Sequence, residues 1–126
     1  MGGFAADEIA EEVFAVSDKI RWVGLTTGRG DVLLNEMRPG LASYSPKEFD
    51  EEFVRLGPIT IVGVAEKYSE YLKGVEYVAV GFGSAICVYA RFGSHVISVS
   101  LEKNQEALAR YLAWLAKKVT SLSKAV

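Results

Sequence analysis

The chain has a single cysteine and a single histidine among its 126 residues. Cys87 on its own forms no intramolecular disulfide, and Cys87 with His95 makes no zinc or haem ligand set. Amides are almost absent: Asn35, Asn104 and Gln105 complete the inventory, a scarcity shared with many thermophile proteins. No uncharged apolar run approaches the roughly 18 residues that a membrane-crossing helix needs, so no membrane insertion is expected. An excess of positive charge is also missing. The net charge is −2, which argues against a nucleic-acid partner. The first residues, Met1-Gly2-Gly3-Phe4, carry no basic stretch followed by an apolar one, and Ala6 breaks the myristoylation pattern. A cytoplasmic protein is the expectation.

What is present points to a folded domain. Half of the residues are apolar and 24% are charged, a balance that excludes intrinsic disorder. The length fits a single domain, 1–126, that buries about two thirds of its unfolded surface.

Turn residues divide the chain into eight elements. Residues 5–18 read as a helix, with Ile9, Val13 and Val16 at the 3.6 period and Asp7, Glu8, Glu11 and Glu12 on the wet face. Residues 20–27 and 32–37 read as a hairpin around Gly28-Arg29-Gly30-Asp31, where two glycines permit positive φ. Ser45-Pro46-Lys47-Glu48 has the pattern of a capping box, with proline at the first helical position. The helix it opens carries Phe49, Phe53 and Leu56, then Ile59, Val62, Ala65, Tyr68 and Leu72, with Gly74 as its stop. Gly57-Pro58 either kinks this helix or splits it in two, and a strand over 59–64 is the rival reading. Strands are expected over 75–82, 85–92 and 95–101. Asn104 caps a last helix reaching about Leu122, lined by Leu108, Leu112, Leu115 and Val119, with Lys117, Lys118 and Lys124 at its C-terminal end.

The order α-β-β-α-β-β-β-α gives an α+β fold: a five-stranded antiparallel sheet with helices on both faces, the terminal helices on one and the central helix on the other. That order, with Ile20-Arg21-Trp22-Val23-Gly24-Leu25, the turn into Gly30-Asp31-Val32 and the exit Met37-Arg38-Pro39-Gly40-Leu41, resembles the roadblock family within the profilin-like architecture. It is similar to small archaeal proteins of that type. The resemblance implies a homodimer or heterodimer that binds or regulates a Ras-like GTPase, or scaffolds an assembly, without cofactor or catalytic triad. Gly57-Pro58 departs from the family's continuous central helix.

No chemical motif competes with this. Ser94-His95 adjacency does not make a triad, because the base must reach the nucleophile in space and needs an orienting acid. Gly81-Phe82-Gly83 leads into a strand and has Ile86 where a dinucleotide fingerprint needs glycine. Arg29-Gly30-Asp31 reads as a hairpin tip. Glu48, Asp50, Glu51 and Glu52 read as a solvated helix start, since adjacent helical residues do not converge. Cys87, in an apolar run, reads as a small buried hydrophobe. The chain is therefore expected not to be an enzyme and to need no cofactor. Arg38 and Tyr44, flanking the loop before the central helix, and Trp114, at the edge of the last apolar stripe, are the candidate partner-binding residues. A symmetric dimer is expected through the central helix, the strand over 75–82, or both, with Tyr68, Tyr77 and Ala79 at the interface. The alternative is a sensory domain holding a small molecule between sheet and helix, near Trp22, Tyr77 and Tyr89.

Overall fold

The computed structural model of the chain describes residues 5–125. The first helix, α1 (Ala6–Val16), leads into β1 (Ile20–Thr27) and β2 (Val32–Met37). Then come α2 (Lys47–Glu66), the single turn α3 (Ser69–Leu72), β3 (Val78–Gly81), β4 (Ile86–Phe92), β5 (His95–Leu101) and α4 (Gln105–Ala125). The five strands form one sheet in the order β2-β1-β5-β4-β3, and every neighbouring pair is antiparallel. The expected α-β-β-α-β-β-β-α plan is therefore the observed one, with α3 as a short continuation of the central helix.

The two faces of the sheet are filled unequally. On one face, α1 and α4 close over Val23, Leu25, Val88, Ala90, Phe92, Ile97, Val99 and Leu101, all fully buried. Ile9, Val13, Tyr111 and Leu115 reach down from the two helices into the same cluster. On the other face only Val62, Tyr89 and Val96 form a buried cluster beneath α2. The cause lies in the alternation of the strands. The residues of β5 and β4 that point toward α2 include Ser98, Ser100 and Cys87, which are small and offer little to pack against.

α2 runs as one element across Pro58. The proline removes a backbone donor, but its ring lies in the buried line Val54, Pro58, Val62 against the sheet. Two residues on, the Thr60 hydroxyl donates to the Leu56 carbonyl at 2.9 Å. The rival strand over 59–64 is not formed. The stripe is rotated from expectation, leaving Phe49 and Leu56 more than half exposed. The helix break falls later, at Lys67-Tyr68, and α3 ends on Lys73 in the left-handed region (φ 66°), followed by Gly74 at φ 95°.

The capping box does not form. Pro46 stands at the N-cap position with no side-chain cap bond, and the helix starts at Lys47. Of the two hairpin glycines only Gly30 has positive φ. β3 is shorter than expected because the chain leaving Gly74 joins the sheet edge only at Val78, opposite Tyr89. At α4, Asn104 caps as read: its Oδ1 accepts from the Ala107 amide at 2.9 Å. Asn104→Ala is expected to lower unfolding free energy by about 1 kcal/mol, measured by urea unfolding; a change below a few tenths would show the cap to be idle. The side chains of Leu122 and Lys124 lie outside the described residues, as does Met1-Gly2-Gly3-Phe4. Among the described residues no helix is long and apolar enough to cross a membrane.

Candidate functional site

The thin packing under α2 leaves a cleft of about 950 Å³ between the N-terminal half of that helix and one end of the sheet. Trp22, Met37, Phe53 and Phe82 supply its apolar walls, and Cys87 and Ser100 lie on its floor. Trp22 is held in place by its indole Nε1–H, which donates to Asn35 Oδ1 at 2.8 Å. Its ring passes directly over Gly24, where a Cβ would come within 2.6 Å of two ring carbons. A glycine is therefore required at that position for the tryptophan to lie flat. Phe53 bridges the wall and the core, with its ring centroid 6.3 Å from that of Trp22 and 5.8 Å from that of Tyr89.

One end of the cleft is charged. Between Ile20 and Trp22 the β1–β5 register shifts, so Arg21 is an extra residue in the ladder. Such a bulge re-aims a side chain, and Arg21 lines the cleft beside Trp22. Its side chain is 9% exposed. Nη2–H donates to the Ala42 carbonyl at 3.1 Å. The guanidinium carbon stands 4.0 Å from the centre of the Tyr44 ring, a cation–π contact. Glu102 Oε2 approaches Nη1 only to 3.9 Å. The sequence carried a sign of this: strict alternation over Ile20-Arg21-Trp22-Val23 would put arginine on the same face as Val23 and Leu25, inside the main core.

The residues read from sequence as partner-binding are not brought together. Arg38 is turned inward. Its Nε–H donates to the Ile20 carbonyl at 2.7 Å, and Nη2 donates to the carbonyls of Phe14 and Ser17 at 2.8 and 2.6 Å. α1 has acids in its first turn and no base in its last, so Arg38 supplies the cation that a helix C-terminus favours. Arg38 thus clasps α1 to the hairpin. Tyr44 is exposed over Arg21 at the loop that edges the cleft. Trp114 lies on the opposite face of the sheet, half-buried and stacked on Tyr111 (5.7 Å) and Phe92 (6.2 Å). Next to it, Lys118 pairs with Glu12 at 2.9 Å. The cleft also differs from the pocket expected around Trp22, Tyr77 and Tyr89: Trp22 lines it, Tyr77 is exposed, and Tyr89 lies fully buried beneath it.

Burial pushes the Cys87 thiol up, partly opposed by the neighbouring Tyr89 hydroxyl, so the thiol is protonated at neutral pH and is a poor nucleophile. Ser94 and His95 share a turn, Oγ to Nδ1 at 3.3 Å. Among the described residues no group of three or more histidine, cysteine or acidic side chains is arranged to hold a metal ion.

A second surface stands out beside the cleft. Val64 on α2, Tyr68, Tyr71 and Leu72 around α3, and Tyr77 before β3 are all exposed. Ala79 is exposed on β3, which is a sheet edge paired with β4 alone. Tyr68, Tyr77 and Ala79 are each exposed.

No family model matches the chain, and no curated protein is similar to it in sequence. Its shape does match solved structures. The gliding protein MglB from Thermus thermophilus superposes with a TM-score of 0.72 at 10% identity, over 97% of this chain and 90% of that one. MglB in a tetrameric arrangement gives 0.71 at 12% identity, over 96% and 90%. A roadblock/LC7 domain from Streptomyces avermitilis gives 0.60 at 13% identity, over 87% and 90%. At these identities the likeness speaks for architecture: antiparallel five-stranded sheet, paired terminal helices and a central helix across the other face make this chain a small domain of the roadblock fold.

Proposed function

We propose that the protein is a non-enzymatic, homodimeric interaction module that regulates or scaffolds a small Ras-like GTPase. The observation that carries the reading is exposed apolar surface. Tyr71 and Leu72 are 77% and 73% exposed, Tyr68 and Tyr77 are exposed as well, and β3 is an open strand edge. Edges are ordinarily blunted by charge, proline or a cover; β3 instead ends in Val78-Ala79-Val80-Gly81. A twofold pairing of β3 with its copy would satisfy the edge and bury apolar surface in one step. Self-association is also described for the MglB of like fold with a tetrameric arrangement. The GTPase rests on the roadblock resemblance of the element order, and the absence of a recognisable reaction motif accords with it. Tyr68, Tyr77 and Ala79 as interface residues form part of this reading, as does Tyr44 as an exposed partner contact.

The test has two arms. Leu72→Glu places a charge where the dimer would be dry and is expected to weaken association about tenfold or more, read by sedimentation velocity, while circular dichroism stays that of the native fold. An unchanged sedimentation coefficient would remove Leu72 from the interface. For the partner, immobilised protein is offered small Ras-like GTPases from its own source, loaded with GTP or GDP. Retention that depends on the nucleotide is the expected result; no retention in either state contradicts the GTPase reading.

A further inference from the structure

We propose that the cleft beneath α2 binds a small amphipathic monocarboxylate, its apolar body against Trp22, Met37 and Phe53 and its carboxylate at Arg21. This goes beyond the interaction module and uses a different part of the molecule, at the end of α2 away from Tyr71 and Leu72.

Three observations select this chemistry. The first is the volume, about 950 Å³, near the upper end of small-molecule sites. Its walls are preorganised by the Trp22–Asn35 hydrogen bond, and a compact apolar body would remove both from water.

The second is Arg21. A guanidinium presents five N–H donors, and a charge this well buried is normally met by a paired acid. Here the protein supplies one direct hydrogen bond, from Ala42, and an aromatic face from Tyr44. Glu102 makes only a long ion pair with it, at 3.9 Å and beyond hydrogen-bond distance, and is itself half exposed. Donors remain on a cation that lines the cavity, which is the arrangement that accepts a carboxylate in a fork.

The third is the rim. Asp50, Glu51 and Glu52 line the cleft on the helix side, with Lys47 as the one base among these rim residues. A polyanion such as a nucleotide would face three carboxylates, whereas a single carboxylate held at Arg21 keeps its charge at the opposite wall.

Decanoate, decanol, decylamine and ATP serve as probes, titrated into the native protein by isothermal calorimetry. Decanoate is expected to bind saturably at one per chain, decanol more weakly, and decylamine and ATP not at all. Arg21→Met should weaken decanoate about tenfold or more and leave decanol within about twofold. Ser100→Leu, which fills the floor without touching the charge, should abolish both. If Arg21→Met does not fold by circular dichroism, Arg21→Lys takes its place. It keeps the charge but loses the fork, and is expected to weaken decanoate about fivefold. The proposal is overturned by an absence of saturable decanoate binding up to about 1 mM, by decylamine binding as well as decanoate, or by affinity that is indifferent to the Arg21 and Ser100 replacements. None of these outcomes bears on the dimer, which is read by mass.

Discussion

Arg38→Met is expected to lower the unfolding free energy by about 3 kcal/mol, through loss of three hydrogen bonds from a charged donor to backbone carbonyls. Two of those carbonyls, of Phe14 and Ser17, belong to the end and exit of α1, where no helical partner is available. The third, of Ile20, opens β1. One guanidinium therefore joins a helix end, a strand start and the end of the hairpin. Its face also lies 5.0 Å from the centre of the Phe14 ring, which methionine would only partly replace. For a chain of this length the loss corresponds to a fall in Tm of about 10 °C. Arg38→Lys restores one point donor in place of a planar fork and is expected to recover less than half of the loss. Thermal unfolding of the pair of variants checks both statements. A change within about 0.5 kcal/mol for Arg38→Met, the range of ordinary surface substitutions, would show that the clasp contributes nothing.

The second large effect is alkaline unfolding. Tyr89 and Tyr111 are fully buried, and neither hydroxyl has a hydrogen-bond partner of good geometry. Burial raises both phenols well above their ordinary value of 10.0; for Tyr89 the neighbouring Cys87 adds to the rise. In the unfolded chain both ionise near 10.0, whereas in the fold both hold their protons. The stability carried by the neutral phenols is therefore complete below about pH 10 and is lost as pH rises beyond it toward the raised folded values. Each tyrosine contributes a slope that rises toward about 1.4 kcal/mol per pH unit as the unfolded phenol ionises, so the two together remove about 2 kcal/mol between about pH 10 and 11. Tyr111→Phe should halve that slope. It should also be neutral or slightly stabilising at pH 7, because it removes a buried hydroxyl with no partner. Urea unfolding across that pH range is the measurement. A slope unchanged in Tyr111→Phe would mean that Tyr111 ionises freely within the fold.

The extents of β1, β2 and β5 were readable residue for residue, since Ile20–Thr27, Val32–Met37 and His95–Leu101 are bounded by turn chemistry on each side. Asn104 was readable because a cap is a local act. α2 was harder for a physical reason. It is apolar on more than one side, so periodicity alone did not determine which line would meet the sheet, and Val54, Pro58 and Val62 won over Phe49 and Leu56. Tertiary packing also overrode the capping box, which the sequence displays and the helix does not use. The ends of β3 were misjudged because an edge strand is limited by where its neighbour can receive it.

The site was less legible than the fold. Arg38 stood out as an arginine in a loop, but nothing local reveals that its donors turn back to α1. The cleft is made by what is missing from the α2-facing positions of β4 and β5, and small residues there leave no local mark. Arg21 was the one available clue, a charge inside an apolar strand. A bulge accounts for it by moving the side chain to the other face.

In the function we propose, this domain presents a surface to a copy of itself and, through that assembly, to a partner. Light scattering coupled to size exclusion, at about 10 μM protein, tests it most directly. The expected particle is about 27 kDa, twice the 13.7 kDa of one chain, as a twofold pair requires. A single sharp species at 13.7 kDa, unmoved by raising the concentration, would contradict it.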